Sequence, residues 1–208
     1  ELQKALAALR PDWEDDEPHA AGLHGGTGVG KTGVFLKLIE RTLELGRRAL
    51  GLVPEISLTP QMIHRLKSTF GSRRAVQHSA LNNTERLLQW RMIQQGNADI
   101  VVGTRSAVFS PLQNLGLIIV DEEQEHTYQS ESAPRYDAHD IAKKRAVMEN
   151  ALLVCASATP WTETSHAAQS GKLKLVTLTQ RYGGCPLHSV DFIDMRAELT
   201  AGNPREVS

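Results

Sequence analysis

The sequence contains Gly25-Gly26-Thr27-Gly28-Val29-Gly30-Lys31-Thr32, a stretch that fits the pattern G-x-x-x-x-G-K-[ST] of a phosphate-binding loop. Its glycines permit positive φ angles and let backbone N–H groups come close to phosphate oxygens. Apolar residues at 20–24 predict a strand before this phosphate loop, and periodic apolar residues at 31–45 predict a helix after it. We therefore expect residues 25–32 to bind a nucleotide, with Lys31 at the β and γ phosphates and Thr32 ligating Mg²⁺.

Strands and helices alternate along the rest of the chain. Further strands are predicted at 49–53, 75–78, 100–102, 117–120, 152–155 and 173–178, and further helices at 60–70, 137–149 and 161–170. A short amphipathic helix opens the chain, and Asn83 or Thr84 is expected to cap another helix that runs to about residue 95. About seven strands that alternate with helices predict an α/β fold, in which a mainly parallel sheet is covered by helices on both faces.

Acidic residues follow the strand predicted at 117–120. Asp121 and Glu122 come first, and sheets of this kind bind ligands at the carboxyl ends of their strands. We expect both to be catalytic together with Lys31: Asp121 would hold Mg²⁺ and Glu122 would activate the attacking water. An acid pair favours hydrolysis over transfer to a metabolite. The alternative is a solvated acidic turn, which is less favoured because a complete phosphate loop lies upstream.

The composition excludes several classes of protein. The 208 residues are 40% hydrophobic and 23% charged, which is ordinary for a globular domain. The longest apolar run, Leu115–Val120, has about six residues, whereas a membrane helix needs about 20. Cys155 and Cys185 are too few for a disulfide framework or a four-cysteine zinc site. With no signal peptide, these features predict a cytoplasmic protein without zinc in these residues and without membrane contact.

Charged residues are distributed unevenly along the chain. Residues 1–20 hold six acids and two bases, for a net charge of −4, and the others hold 18 acids and 21 bases, for +3. A mildly basic body permits nucleic-acid binding without requiring it. We predict an N-terminal helix and acidic loop at 1–20, one α/β lobe at 21–180 and a tail without clear periodicity at 181–208. The chain begins at Glu1 rather than Met, and we interpret it as a fragment.

A third motif, Ser157-Ala158-Thr159-Pro160, completes an order of motifs that is typical of superfamily 2 helicases. A more specific signal is Leu52-Val53-Pro54-Glu55-Ile56-Ser57-Leu58-Thr59-Pro60-Gln61, which resembles the PriA family of primosomal replication-restart helicases. Residues 78–81, 100–107, 115–123 and 135–136 resemble the same family in order and spacing. The similarity extends from about Gly22 to Arg196.

This resemblance implies the RecA-like P-loop NTPase lobe of an ATP-dependent 3′-to-5′ DNA helicase that acts in replication restart and primosome assembly. The implied cofactors are ATP and Mg²⁺. The implied partners are forked or single-stranded DNA, other primosome proteins and a second motor lobe in cis. That lobe and the family's zinc insertion are absent from these residues. The tail at 181–208 would lead to them, and the isolated lobe is expected to be poorly active.

Two other functions are compatible with a phosphate loop. The first is a non-catalytic module that binds a nucleotide or a partner but does not turn over. The second is an unrelated P-loop ATPase or small-molecule kinase. The kinase alternative lacks support, because nothing in the sequence resembles an acceptor-substrate site.

The resemblance also implies residues that contact DNA. Ser57, Thr59, Thr104 and Arg105 match positions from which such contacts come, and hydroxyl and guanidinium groups suit phosphate. The alternative roles are turns or caps for the hydroxyls and a structural salt bridge for Arg105.

The segment 128–136 resembles that family's aromatic-rich loop, which is thought to connect single-stranded DNA to ATP hydrolysis. Tyr128, Arg135 and Tyr136 could stack on bases or contact the backbone. Packing on the sheet edge is the alternative for the two rings. Ser157 and Thr159 are the other residues at which we expect coupling.

Three further positions have specific expectations. Gly33 stands where a polar residue is expected, and costs the helix about 0.5–1 kcal/mol without touching the phosphate contacts. Gln124 replaces the histidine of D-E-x-H, and its amide can still donate a hydrogen bond but cannot titrate. Gln3 could contact adenine, with an exposed helix residue as the alternative.

Overall fold

The computed structural model describes residues 2–9, 20–26, 29–71, 73–77 and 81–179. These residues contain seven strands: β1 (Ala20–Gly25), β2 (Arg48–Leu52), β3 (Arg74–Gln77), β4 (Ile100–Gly103), β5 (Leu115–Val120), β6 (Leu152–Ser157) and β7 (Lys174–Leu178). They also contain the helices α1 (Leu2–Ala8), α2 (Lys31–Glu44), α3 (Pro60–Phe70), α4 (Asn83–Gln94), α5 (Ala138–Glu149) and α6 (Thr162–Gln169). No helix in these ranges has the length and apolar character needed to cross a bilayer.

The predicted strands and helices are confirmed, but the predicted N-cap of α4 is wrong. The N-cap is Asn82 rather than Asn83 or Thr84, because Glu85 completes a capping box with it. The amide of Glu85 donates to the side chain of Asn82, and the amide of Asn82 donates to the carboxylate of Glu85, both at 2.9 Å. Only Asn82 has a glutamate three residues after it. Of the N-terminal helix and acidic loop predicted at 1–20, residues 10–19 lie outside the described residues, as does the tail at 181–208.

All seven strands are parallel and form one sheet in the order β3-β4-β2-β5-β6-β1-β7. Val120 at the end of β5 lies beside Cys155 of β6, and Ser157 at the end of β6 lies beside His24 of β1. The segments that follow these three strands therefore meet at one edge of the sheet. They are the phosphate loop, the acid pair and Ser157-Ala158-Thr159.

Two hydrophobic cores, one on each face of the sheet, account for the apolar character of the central strands. Helices α1, α2 and α3 pack on one face through residues that include Val34 and Leu66. Helices α4 and α5 pack on the other face through residues that include Ile93 and Ala142. β5 supplies alternate residues to both cores and is buried along its whole length. The prediction that helices cover both faces is confirmed.

Gly103 and Gly51 offer a test of this packing, because only one of them has room for a side chain. A Cβ on Gly103 would collide with the carbonyl oxygen of Gln77 and lie 2.6 Å from the Cβ of Ala107. A Cβ on Gly51 would meet Val102 at 3.5 Å, an ordinary contact. We expect Gly103→Ala to lower the free energy of unfolding by about 1–3 kcal/mol, and Gly51→Ala to leave it unchanged or raise it. Urea denaturation of both variants beside the parent chain measures this, and equal losses would contradict the packing described at β4.

Candidate nucleotide-binding site

The phosphate loop joins β1 to α2 with the backbone geometry that anion binding requires. Gly30 precedes the first turn of α2 and has a φ of 95°, a left-handed conformation that favours glycine. Gly25 is tightly enclosed, since a Cβ there would lie 2.6 Å from Val29. The N-terminus of α2 opens onto the loop, where its dipole favours an anion. Thr27 and Gly28 lie outside the described residues, and the amide of Val29 donates to the carbonyl of Gly26 at 3.4 Å.

Buried Lys31 and half-buried Glu122 form an ion pair at this edge of the sheet. Lys31 Nζ lies 2.6 Å from Glu122 Oε1, and Lys31 is 9% exposed. Burial raises the pKa of Glu122, but hydrogen bonds from Gln124 and Lys31 outweigh it, so that the pKa lies below its ordinary value. Glu122 is therefore ionised at neutral pH. The structure brings together the cation predicted for the phosphates and the acid predicted to activate water.

Gln124 connects Glu122 to the motif that follows β6. Its amide donates to Glu122 Oε2 at 2.8 Å, and its carbonyl oxygen accepts from the hydroxyl of Ser157 at 2.5 Å. The amide of Thr159 then donates to Ser157 Oγ at 2.8 Å. The glutamine that replaces histidine here both donates and accepts. This chain of hydrogen bonds is a geometry suited to the coupling predicted for Ser157 and Thr159.

Asp121 and Thr32, the two residues expected to bind Mg²⁺, lie at the same edge of the sheet. Both are among the residues that line a cavity of about 40 Å³ between α2, α3 and the sheet, whose other lining residues are apolar. A carboxylate and a hydroxyl are oxygen ligands of the kind that Mg²⁺ takes, with water and phosphate supplying the others. The amide of Glu122 donates to Asp121 Oδ1 at 3.0 Å, and the hydroxyl of Tyr128 donates to the carbonyl of Asp121 at 2.7 Å. These oxygen donors are of the type that Mg²⁺ binds, and a magnesium site at Thr32 and Asp121 stays a prediction.

The hydroxyl residues expected to contact DNA lie after β2 and β4, at the same edge of the sheet. Ser57 and Thr104 are half-buried and Thr59 is exposed. The hydroxyl of Thr59 accepts from the amide of Met62 at 3.3 Å, so it takes the capping role that was its alternative. Contact of these residues with DNA stays a prediction.

Arg105 holds the loop that follows the acid pair. Its guanidinium donates to the carbonyl of Thr127 at 3.3 Å and to that of Gln129 at 2.5 Å. It also lies over the ring of Tyr136, with Cζ 5.7 Å from the ring centroid. These partners, within the part of the chain that the structure describes, are carbonyl groups and a ring rather than the carboxylate of a salt bridge.

Tyr128 is not available to stack on a base. Its ring is 1% exposed and packs edge-on against His139, with centroids 4.9 Å apart. The stacking predicted for Tyr128 is therefore wrong, because the core beneath α5 encloses the ring; a coupling role through its hydroxyl stays a prediction. Tyr136 is half-buried beside Phe109, with ring centroids 5.0 Å apart, and Arg135 is exposed.

Two buried polar residues beside the site were missed by the sequence analysis. Glu123, 2% exposed, accepts from the amide of Trp161 at 3.2 Å and from the hydroxyl of Thr164 at 3.0 Å. His139, 3% exposed, lies between the rings of Tyr128 and Trp161. An acid in an acidic run and a histidine in a helix carry no pattern that distinguishes burial from exposure, so no signal in the sequence could have found them.

The structure also places Gln3, Gly33 and Cys155. Gln3 is exposed on α1 and lines a groove with Lys37 and Arg41 of α2, and its contact with adenine stays a prediction. Gly33 is half-buried in the first turn of α2. Cys155 is buried in β6, and burial raises the pKa of its thiol to about 12.

Comparison with known proteins agrees with this geometry. A sequence model of the DEAD/DEAH box helicases matches residues 7–167. The chain belongs to the DEAD/DEAH box helicase family. Two relatives of this helicase chain are replication restart proteins named PriA. That of Bacillus subtilis (strain 168) is 45% identical over 203 residues, and that of Synechocystis sp. is 43% identical over 190 residues. These alignments cover 98% and 89% of this chain but 25% and 23% of the relatives, so the chain spans about a quarter of their length.

Solved helicase structures show the same fold. RecG bound to a three-way DNA junction superposes with a TM-score of 0.61 at 24% identity, over 85% of this chain and 23% of that one. The helicase domain of Pyrococcus furiosus Hef superposes with a TM-score of 0.58 at 15% identity, over 85% of this chain and 38% of that one. The RecA-like fold predicted for this helicase lobe is confirmed.

Asp121 allows a test through the pH dependence of stability. Burial raises its pKa from an ordinary 3.8 to about 6; Lys31 opposes the rise and Glu122 adds to it. The folded chain therefore binds more protons than the unfolded chain between these values, and stability falls as pH rises through them. Asp121→Asn keeps the acceptor for the amide of Glu122 and removes the ionisation. We expect it to raise the melting temperature at pH 7.5 without Mg²⁺, with a gain that shrinks below pH 5.

Thermal unfolding at a series of pH values measures this effect. Asp140→Asn, at an exposed residue of α5, is the matched control and is expected to show no such gain. A lower melting temperature for Asp121→Asn at pH 7.5 would contradict the assigned burial.

Proposed function

We propose that this chain is the ATP-binding first motor lobe of a 3′-to-5′ DNA helicase that acts in replication restart and primosome assembly. Similarity to PriA proteins over as much as 98% of the chain supports the proposal. The observation that carries it is the contact of Lys31 with Glu122, at the edge of the sheet that also holds Asp121 and Thr32. This arrangement favours hydrolysis over the alternative of a non-catalytic module, which does not require a carboxylate beside the phosphate-binding lysine.

Binding of Mg-ATP follows from the groups at the edge of the sheet. Backbone N–H groups of the phosphate loop and of the first turn of α2 would bind the β and γ phosphates. Lys31 would exchange the carboxylate of Glu122 for a phosphate oxygen, so that its buried charge keeps an anionic partner. Thr32 and Asp121 would hold Mg²⁺, which supplies charge stabilisation to the phosphates during hydrolysis.

Glu122 would take a proton from the attacking water. The pKa of Glu122 lies below its ordinary value partly because Lys31 and Gln124 bond to its carboxylate. When Lys31 turns to phosphate, one of these bonds is lost and the carboxylate becomes more basic, which suits a general base. Gln124 keeps its own bond to Glu122 and orients the carboxylate. Nucleotide binding would thus make the carboxylate of Glu122 a stronger base.

The finer parts of the proposal concern the whole protein in the cytoplasm. Forked or single-stranded DNA would lie along the edge that carries Ser57, Thr59, Thr104, Arg105, Arg135 and Tyr136. A second motor lobe in cis would complete the ATP site by supplying arginine to the γ-phosphate. In other P-loop enzymes such an arginine changes the rate by about 10³–10⁵, so this lobe alone is expected to turn over poorly. Other primosome proteins would be its partners.

Lys31 gives the direct test of nucleotide binding. We expect Lys31→Ala to abolish detectable binding of Mg-ADP to this chain in isothermal titration calorimetry, because the loop loses the only lysine it contains. Lys37→Ala, on the same helix but paired with Glu40 at the surface, is the matched control and is expected to bind like the parent chain. Unchanged affinity in Lys31→Ala would overturn the assignment of the loop.

Glu122 gives the test of hydrolysis, in a protein that also carries the second motor lobe. Glu122→Gln keeps the shape of the side chain but cannot accept a proton from water. We expect it to bind ATP and to lower the DNA-stimulated turnover by about 10²-fold or more. Glu125→Gln, in the same loop, is the control. Parent-like turnover in Glu122→Gln would show that the acid end of β5 is structural.

A further inference from the structure

Glu122 has a backbone conformation that glutamate rarely adopts. Its φ is 47°, in the left-handed region that favours glycine. A residue keeps such a conformation only when its surroundings over-determine it. Both neighbours of Glu122 are held by groups from elsewhere in the chain. The hydroxyl of Tyr128 donates to the carbonyl of Asp121 at 2.7 Å, and Glu123 accepts from the amide of Trp161 at 3.2 Å.

His139 lies between the two residues that hold Asp121 and Glu123. Its ring centroid is 4.9 Å from that of Tyr128, with the planes at 82°, and 4.5 Å from that of Trp161, with the planes at 48°. Its side chain is 2% exposed. One imidazole in α5 therefore contacts both residues.

Asp137 fixes the position of this imidazole. The carboxylate of Asp137 caps α5 by accepting from the amide of His139 at 2.8 Å, and the same oxygen lies 2.8 Å from His139 Nδ1. With Nδ1 facing Asp137, Nε2 is the other polar atom of the ring. Nε2 is buried and has no hydrogen-bond partner among the described residues. The other contacts that the structure gives for this ring are those with the rings of Tyr128 and Trp161.

We propose that His139 is a positioning residue of the nucleotide site, which packs between Tyr128 and Trp161 and so maintains the contacts that hold Asp121 and Glu123 on either side of Glu122. The inference rests on the proposed function, because it concerns the acid pair of that site. It gives α5 an influence on a ligand of Mg²⁺ without any contact between His139 and the nucleotide. It also gives Trp161 a defined role.

The readout is the Mg²⁺-dependent part of ADP affinity, which is the ratio of the affinity with Mg²⁺ to that in EDTA, measured on this chain by calorimetry. A loss of general stability moves both affinities together, whereas a displaced Asp121 lowers only the first. His139→Asn keeps a donor for Asp137 and removes the ring. We expect it to lower the ratio by about five- to tenfold and to leave the affinity in EDTA within about twofold. His139→Phe keeps a ring and is expected to restore most of the ratio.

A double-mutant cycle tests whether His139 acts through Tyr128. Tyr128→Phe keeps the ring but removes the hydroxyl that bonds Asp121, so His139→Asn is expected to add little in that background. Additive effects of the two substitutions would overturn the proposal. A loss in His139→Phe as large as that in His139→Asn would do so too, because the ring would then not matter. His166→Asn, exposed on α6, is the control.

Two outcomes separate this inference from the function on which it rests. If the parent chain does not bind ADP in either buffer, the proposed function fails and the inference fails with it. If the parent binds with a clear Mg²⁺ dependence and every His139 variant keeps that dependence, the inference alone is overturned. Should His139→Asn not fold, His139→Leu, which fills the space without an aromatic ring, replaces it and is expected to lower the ratio. His139→Phe must then largely preserve the ratio, and Tyr128→Phe must lower it.

Discussion

The parallel register of β5, β6 and β1 is the constraint on which the nucleotide site depends. These neighbouring strands end at one edge of the sheet, so segments far apart in sequence follow them into the same space. Lys31 and Glu122 are 91 residues apart in the chain and meet at 2.6 Å for this reason. The link from Gln124 to Ser157 and the packing of Trp161 near Glu123 have the same origin.

The ion pair of buried Lys31 and half-buried Glu122 matters more for function than for stability. Removing two charges from water costs free energy that their attraction offsets only in part, so such a pair is weak evidence of stabilisation. Here each charge compensates the other at a place where a more highly charged anion would bind. A phosphate that binds here can replace Glu122 as the partner of Lys31, so that the buried lysine keeps an anionic partner. The low exposure of Lys31, which makes removal of its charge from water costly, also strengthens the attraction of Lys31 to phosphate.

The sequence was sufficient to predict the seven strands, the layers and the motifs at the sheet edge, because each leaves a periodic or spaced pattern. It was insufficient wherever the answer depends on which neighbour covers a side chain. Glu122 and Glu123 are the same residue type in adjacent positions, yet one faces Lys31 and the other is enclosed beneath α6. Tyr128 near an acid pair is equally compatible with stacking and with packing, and only the position of α5 decides between them. The cap of α4 could have been predicted by weighing Asn82 and Glu85 together.

The burial of β5 on both faces has a consequence for the timescales on which the site can move. Its six residues lie between two cores and two neighbouring strands, so its amide protons are expected to exchange with solvent only when the whole lobe unfolds. Residues 131–135 in the loop beyond it are exposed and can open locally at much lower cost. Asp121 stands at the boundary between these two regimes. We therefore expect β5 to be the rigid part of the site and fast fluctuations to be confined to the loop that follows it.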